Sequence, residues 1–180
     1  MPSYTHLAYR RNAKAAARKQ QIKKPKNQES LLKAREDFGY FCEYVADKPP
    51  AEHHKTWHRH FVTNEDSSCL LKIAGPNVDL LAPRGSAKST VLGLLTAWAI
   101  GIHTQAKQPL QVLYLSYTVD IARSKSATIK RIIESKRYQE VFPKVRLLKN
   151  VTSNEYWSID HKFAGIDTTG EEQFTLCAAG

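Results

Sequence analysis

Ala82-Pro83-Arg84-Gly85-Ser86-Ala87-Lys88-Ser89-Thr90 joins a short apolar run, Val78 to Leu81, to a mostly apolar stretch, residues 88–102. The run reads as a buried strand. The stretch reads as a helix carrying Val91, Leu92, Leu94, Leu95, Trp98 and Ile102. A strand, a glycine-bearing turn and Lys-Ser-Thr opening a helix form the arrangement of a phosphate-binding loop. Main-chain N–H groups in the turn and at the helix start point inward at phosphate oxygens, and the helix dipole adds positive potential there. Lys88 supplies a full charge for the β- and γ-phosphates. Ser89 supplies a hydroxyl for Mg²⁺, and Thr90 faces the α-phosphate. The general pattern GxxxxGK[ST] puts glycines where this chain has Ala82 and Ala87, and a methyl at 87 resists positive φ. The alternative reading is an ordinary helix start with a surface lysine.

Working outward, Cys69 to Ala74 reads as a strand and Gly75-Pro76-Asn77 as a turn. Residues 110–116, Leu-Gln-Val-Leu-Tyr-Leu-Ser, form the clearest strand, and Val119 to Glu134 the following helix, with Ile121, Ala122, Ile129, Ile132 and Ile133 inward. Upstream, Ser30 to Ala46 reads as one helix capped by Ser30 and ended by Lys48-Pro49-Pro50, and Ala51 to Val62 as a second. Shorter strands are expected at 145–148, 155–159 and 174–178. Alternating strands and helices predict an α/β domain with a mainly parallel sheet flanked by helices.

The formal net charge is +10, and residues 1–28 hold eight of the 27 Lys and Arg with no Asp or Glu. This arm is expected to be disordered when free. Arg10, Arg11, Lys14, Arg18 and Lys19 are its candidate DNA contacts; the alternative is a solubilising tail. The remaining residues, 29–180, carry 19 basic against 17 acidic side chains and read as one domain. Three scattered cysteines with no CxxC pair fit a reducing compartment. No apolar run approaches the ~20 residues of a membrane span, and no signal peptide is present, so a soluble intracellular protein with no membrane partner is expected.

Arg-Gly-Ser-Ala-Lys-Ser-Thr with Pro83 in front resembles the variant Walker A motif of phage terminase large subunits, in which the first glycine is often replaced and a basic residue comes early. Residues 49–57, Pro-Pro-Ala-Glu-His-His-Lys-Thr-Trp, resemble the family's adenine-contacting segment. The strand at 110–116 with Thr118 resembles its next strand–helix unit, Asn154 to Ile159 its following hairpin, and Phe174 to Gly180 the strand shortly before Walker B. The resemblance covers roughly residues 30–180. It implies a RecA-like (ASCE) P-loop NTPase domain using ATP and Mg²⁺. It further implies a homo-oligomeric ring docked on the portal protein of a procapsid in the host cytoplasm, driving double-stranded DNA inward with a terminase small subunit. A C-terminal nuclease cuts that DNA. The resemblance implies phosphate contacts from Pro83, Arg84, Gly85, Ser86, Ala87, Lys88, Ser89 and Thr90, Mg²⁺ ligation by Ser89, and adenine contacts from His53, His54 and Trp57. Arg84 stands where the family holds a basic residue proposed to stabilise γ-phosphate charge, an arginine-finger role; a structural salt bridge is the alternative.

No apolar strand ending in paired acids follows Gly101, so Walker B and the nuclease carboxylates are expected to lie outside this chain, which then hydrolyses ATP poorly alone. His53, His54, His58 and His60 read as packing or solvated residues rather than a zinc site, and no HExxH is present. Arg123, Lys125, Lys130, Arg131, Lys136 and Arg137 read as a solvent face rather than a DNA channel, and Tyr114 and Tyr117 as core residues rather than base-stacking ones. A helicase-like NTPase and a non-enzymatic basic nucleic-acid-binding protein are the competing functions.

Overall fold

A computed structural model describes residues 28–61, 79–167 and 174–180. The basic arm, the expected strand at 69–74 and Val78, the first residue of the run before the loop, lie outside the described residues. The chain divides into Met1–Ser30 and Leu31–Gly180, and the second unit contains the core.

The helices are α1 (Gln28–Glu36), α2 (Phe38–Ala46), α3 (Glu52–Phe61), α4 (Lys88–Gln105), α5 (Val119–Glu134), α6 (Lys136–Val141) and α7 (His161–Ala164). The strands are β1 (Val112–Leu115), β2 (Leu147–Thr152), β3 (Tyr156–Ile159) and β4 (Leu176–Ala179), in the order β1-β4-β3-β2.

This order corrects the expectation of a mainly parallel P-loop sheet. Among the described strands only β1 and β4 run parallel, with Val112 opposite Leu176 and Leu115 opposite Ala179. The β2–β3 and β3–β4 pairs are antiparallel. The cause is local. β2 and β3 are joined only by residues 153–155, and a link that short can only reverse the chain, because parallel pairing needs a long crossover. The strand–helix alternation that suggests crossovers holds for β1 and α5 and stops after α6. Leu81, expected at the end of a buried strand, is 96% exposed and lies in no strand.

The expected helix at 30–46 is two helices. Asp37 interrupts it: its carboxylate accepts from the Tyr40 amide at 2.7 Å and caps α2. Capping separates the segments because an aspartate is a better N-cap than a helix-interior residue. Asp47, in the left-handed region, closes α2, and its N–H reaches the carbonyls of Cys42 and Glu43.

Helix α4 is the centre of the core. Its buried residues, including Val91, Leu94, Ala97, Trp98, Ile100 and Ile102, lie on more than one face, so it is packed from several sides. Phe38 and Phe41 of α2, Ile129 and Ile133 of α5, and Tyr138, Val141 and Phe142 of and after α6 pack into the same cluster. The Trp98 indole donates to the Ala34 carbonyl at 3.1 Å, and the Tyr138 hydroxyl to the Ala97 carbonyl at 2.8 Å. Both rings are buried with their polar atoms satisfied, as burial of such groups requires. Ile121, expected inward, is 45% exposed. Leu113 and Leu115 project from β1 and stay exposed, as does Tyr117, which is 95% exposed rather than in the core.

Candidate phosphate-binding site

The loop at 82–90 turns through two residues of positive φ, Gly85 at 85° and Ala87 at 57°. Glycine takes that region freely, whereas an alanine there costs on the order of 1 kcal/mol. Three non-glycine residues among the described ones have positive φ: Asp47, Ala87 and Lys107. Asp47 and Lys107 follow the ends of α2 and α4, where a left-handed residue closes a helix. Ala87 instead stands before a helix, as the N-cap of α4. So the conformation the methyl resists is the one adopted.

That geometry leaves the start of α4 open. Asp37, Thr118, Ser135 and Asp160 each cap the helix that follows with a side-chain oxygen. Ala87 offers no side-chain cap, although α4 is the longest helix described, with 18 residues. The Ala87 carbonyl accepts from the amides of Thr90 at 2.9 Å and Val91 at 3.0 Å. Among the described residues, the amides of Gly85, Ala87, Lys88 and Ser89 have no acceptor. The only hydrogen bond within the turn is a long one, Ser86 N–H to the Pro83 carbonyl at 3.4 Å. The Ser86 hydroxyl is buried and has no partner among the described residues. A buried orphan hydroxyl beside free amides is the local signature of a site that an anion or water completes.

The charged and hydroxyl side chains are available. Among the described residues, Arg84, Lys88, Ser89 and Thr90 make no side-chain hydrogen bond or ion pair. Arg84 thus has no salt bridge, its structural alternative, among the described residues. Arg84, Ser89 and Thr90 are exposed and Lys88 is half-buried.

Helix α3 lies beside the loop. The His54 Nε2 is 2.8 Å from the Ser86 carbonyl, and its Nδ1 is 3.2 Å from the Ala51 amide. His54 is buried, while His53 is exposed and Trp57 half-buried. The three rings form one cluster, with centroids 4.0 Å apart for His53–His54 and 5.0 Å for each histidine to Trp57. His58 turns the other way, stacked on Phe38 at 4.9 Å and beside Trp98 at 5.5 Å. The side chain of His60 lies outside the described residues. No group of three or more potential metal ligands occurs among the described residues.

The basic residues of α5 and α6 are largely committed locally. Arg123 pairs with Glu155 and Asp120, and Arg137 with Asp47 at 2.6 Å. Lys130 donates to the Ser153 carbonyl and Arg131 to the Ala127 carbonyl. The five arm residues proposed for DNA, Arg10, Arg11, Lys14, Arg18 and Lys19, lie outside the described residues. No described helix is long and apolar enough to cross a membrane.

Sequence reasoning brought Pro83 to Thr90 together, as neighbours must be, and did not find the His54–Ser86 link. Those residues are 32 positions apart, and no local pattern joins them. Comparison with family models, curated proteins and solved structures finds no match to this chain.

Proposed function

We propose that this chain binds Mg²⁺–ATP at residues 82–90 and is the ATP-binding part of a viral terminase large subunit that powers DNA translocation into a procapsid. The observation that carries the reading is Ala87 held at φ 57° before an 18-residue helix with no side-chain cap. A strained backbone is retained where something gains from it, and here the gain is an exposed set of amides beside Lys88.

In this reading the amides of Gly85, Ala87, Lys88 and Ser89 surround the phosphates. Lys88 neutralises the β- and γ-oxygens, and Ser89 contributes a hydroxyl to Mg²⁺. Arg84, exposed and with no partner among the described residues, is free to approach γ-phosphate charge. His53 and Trp57 offer apolar ring surface near the loop for the base. The basic arm meets double-stranded DNA phosphate. Portal protein, small subunit and further copies in a ring belong to the same proposal, as does action in the cytoplasm of an infected host cell.

The test is thermal. Mg²⁺–ATP at ~100 times Kd adds about 2.7 kcal/mol of apparent stability to a protein that binds it. Wild type is expected to show this gain and Lys88→Ala to lose it. Identical melting of the two proteins at saturating ATP removes the reading.

A further inference from the structure

If residues 82–90 bind a triphosphate, something must hold the loop in its receptive shape before the ligand arrives. The turn ahead of α4, Ala82 to Ala87, contributes little: one 3.4 Å hydrogen bond, from the Ser86 amide to the Pro83 carbonyl. A shorter tie comes from α3, where His54 Nε2 lies 2.8 Å from the Ser86 carbonyl.

The chemistry of that tie is fixed by the other ring nitrogen. His54 Nδ1 faces the Ala51 N–H at 3.2 Å, so it accepts. A neutral imidazole carries one donor and one acceptor, which leaves the proton on Nε2, directed at the Ser86 carbonyl. The backbone then transmits this contact. The peptide joining Ser86 to Ala87 is planar and trans, so its C=O and N–H point in opposite directions. Drawing the Ser86 carbonyl toward His54 turns the Ala87 N–H away from α3. That amide is one of those with no acceptor among the described residues, and it belongs to the residue held at φ 57°.

We infer that His54 is a positioning residue for the phosphate loop: by holding the Ser86 carbonyl it orients the Ala87 amide toward the phosphates, and it acts without touching the ligand. The inference rests on the ATP-binding reading above. It gives His54 a role different from His53 and Trp57, whose rings are more exposed.

Calorimetric titration of the 180-residue chain with Mg²⁺–ATP and, separately, with Mg²⁺–tripolyphosphate tests it, because the second ligand has no base. His54→Phe is expected to weaken both ligands by the same factor, about tenfold for one lost orienting hydrogen bond. His54→Gln places an amide donor near the Nε2 position and is expected to stay within about threefold of wild type. Should His54→Phe fail to fold, Gln against Asn decides. Asn retains an acceptor for Ala51 but falls short of Ser86, so it is expected to bind both ligands about tenfold more weakly than Gln. Equal binding by these variants and wild type overturns the inference and leaves the ATP reading standing. Weakened ATP with unchanged tripolyphosphate overturns it in favour of a base contact. A wild type that binds neither ligand overturns the reading and the inference with it.

Discussion

Phe142 fills the notch that Gly101 leaves in α4: a Cβ on residue 101 would lie 2.5 Å from the Phe142 Cδ2. Phe142 is 1% exposed, and its ring meets Phe41 and Tyr138 at 6.1 and 5.2 Å, so it has no room to swing aside. Gly101 is therefore retained for close approach, in the interior of a helix that would otherwise prefer alanine. Gly101→Ala gains about 1 kcal/mol of helix propensity but overpacks the core at a cost of about 1–3 kcal/mol. The expected result is a net loss of about 1 kcal/mol in urea denaturation, opposite in sign to the same change on an exposed helix face.

The indole of Trp157 donates to the Ser126 hydroxyl at 2.8 Å, and both residues are fully buried. This bond ties β3 to α5. Ser126→Ala leaves a buried N–H without its acceptor, which costs about 1–3 kcal/mol. Chemical denaturation is expected to show that loss, with a changed Trp157 environment in near-ultraviolet circular dichroism.

At position 87 the order of stability follows from backbone sterics alone. Glycine relieves about 1–2 kcal/mol of left-handed strain while adding about 0.5–1 kcal/mol of unfolded-state entropy. Ala87→Gly is thus expected to raise stability slightly, by about 0.5 kcal/mol. Ala87→Val, β-branched in the left-handed region, is expected to lower it by about 2 kcal/mol. Thermal melts of the three proteins check the order.

Much of the helical layout is legible in the sequence because it is local. Val119 to Glu134 forms the helix its period predicts, and α4 ends just before the Lys107-Gln108-Pro109 break. Asp37 shows what periodicity misses: apolar spacing continues across residues 31–45, yet one carboxylate capping Tyr40 divides the helix. The sheet is less legible, because strand direction depends on which segments pair, and the 153–155 turn sets a hairpin that overrides the βα alternation. At the site, Gly85 and Lys88 are visible as a motif. The positive φ of Ala87 runs against its residue type, and the His54–Ser86 contact joins distant positions, so neither can be read from spacing.

Alkaline pH is expected to destabilise the fold. Burial, with a smaller contribution from the Asp37 carboxylate, pushes the Cys42 thiol up to about 12. Burial, followed by the hydrogen bond to Glu140, likewise raises the Tyr44 phenol to about 12. Both groups ionise earlier in the unfolded chain. The stability they contribute is intact below the unfolded values, and it is lost as pH rises from about 9 toward 12. The thiol alone accounts for about 1 kcal/mol by pH 10. Urea midpoints at pH 7, 9 and 10 are expected to fall in that order, and Cys42→Ala to flatten the decline.

The account stands on ligand contact at the free amides before α4, and amide chemical shifts report that contact residue by residue. On titration of the isotopically labelled chain with Mg²⁺–ATP, the largest shifts are expected at Gly85, Ser86, Ala87, Lys88 and Ser89, and they should vanish in Lys88→Ala. Saturating Mg²⁺–ATP that leaves these five amides unmoved would contradict the claim that this loop receives a nucleotide.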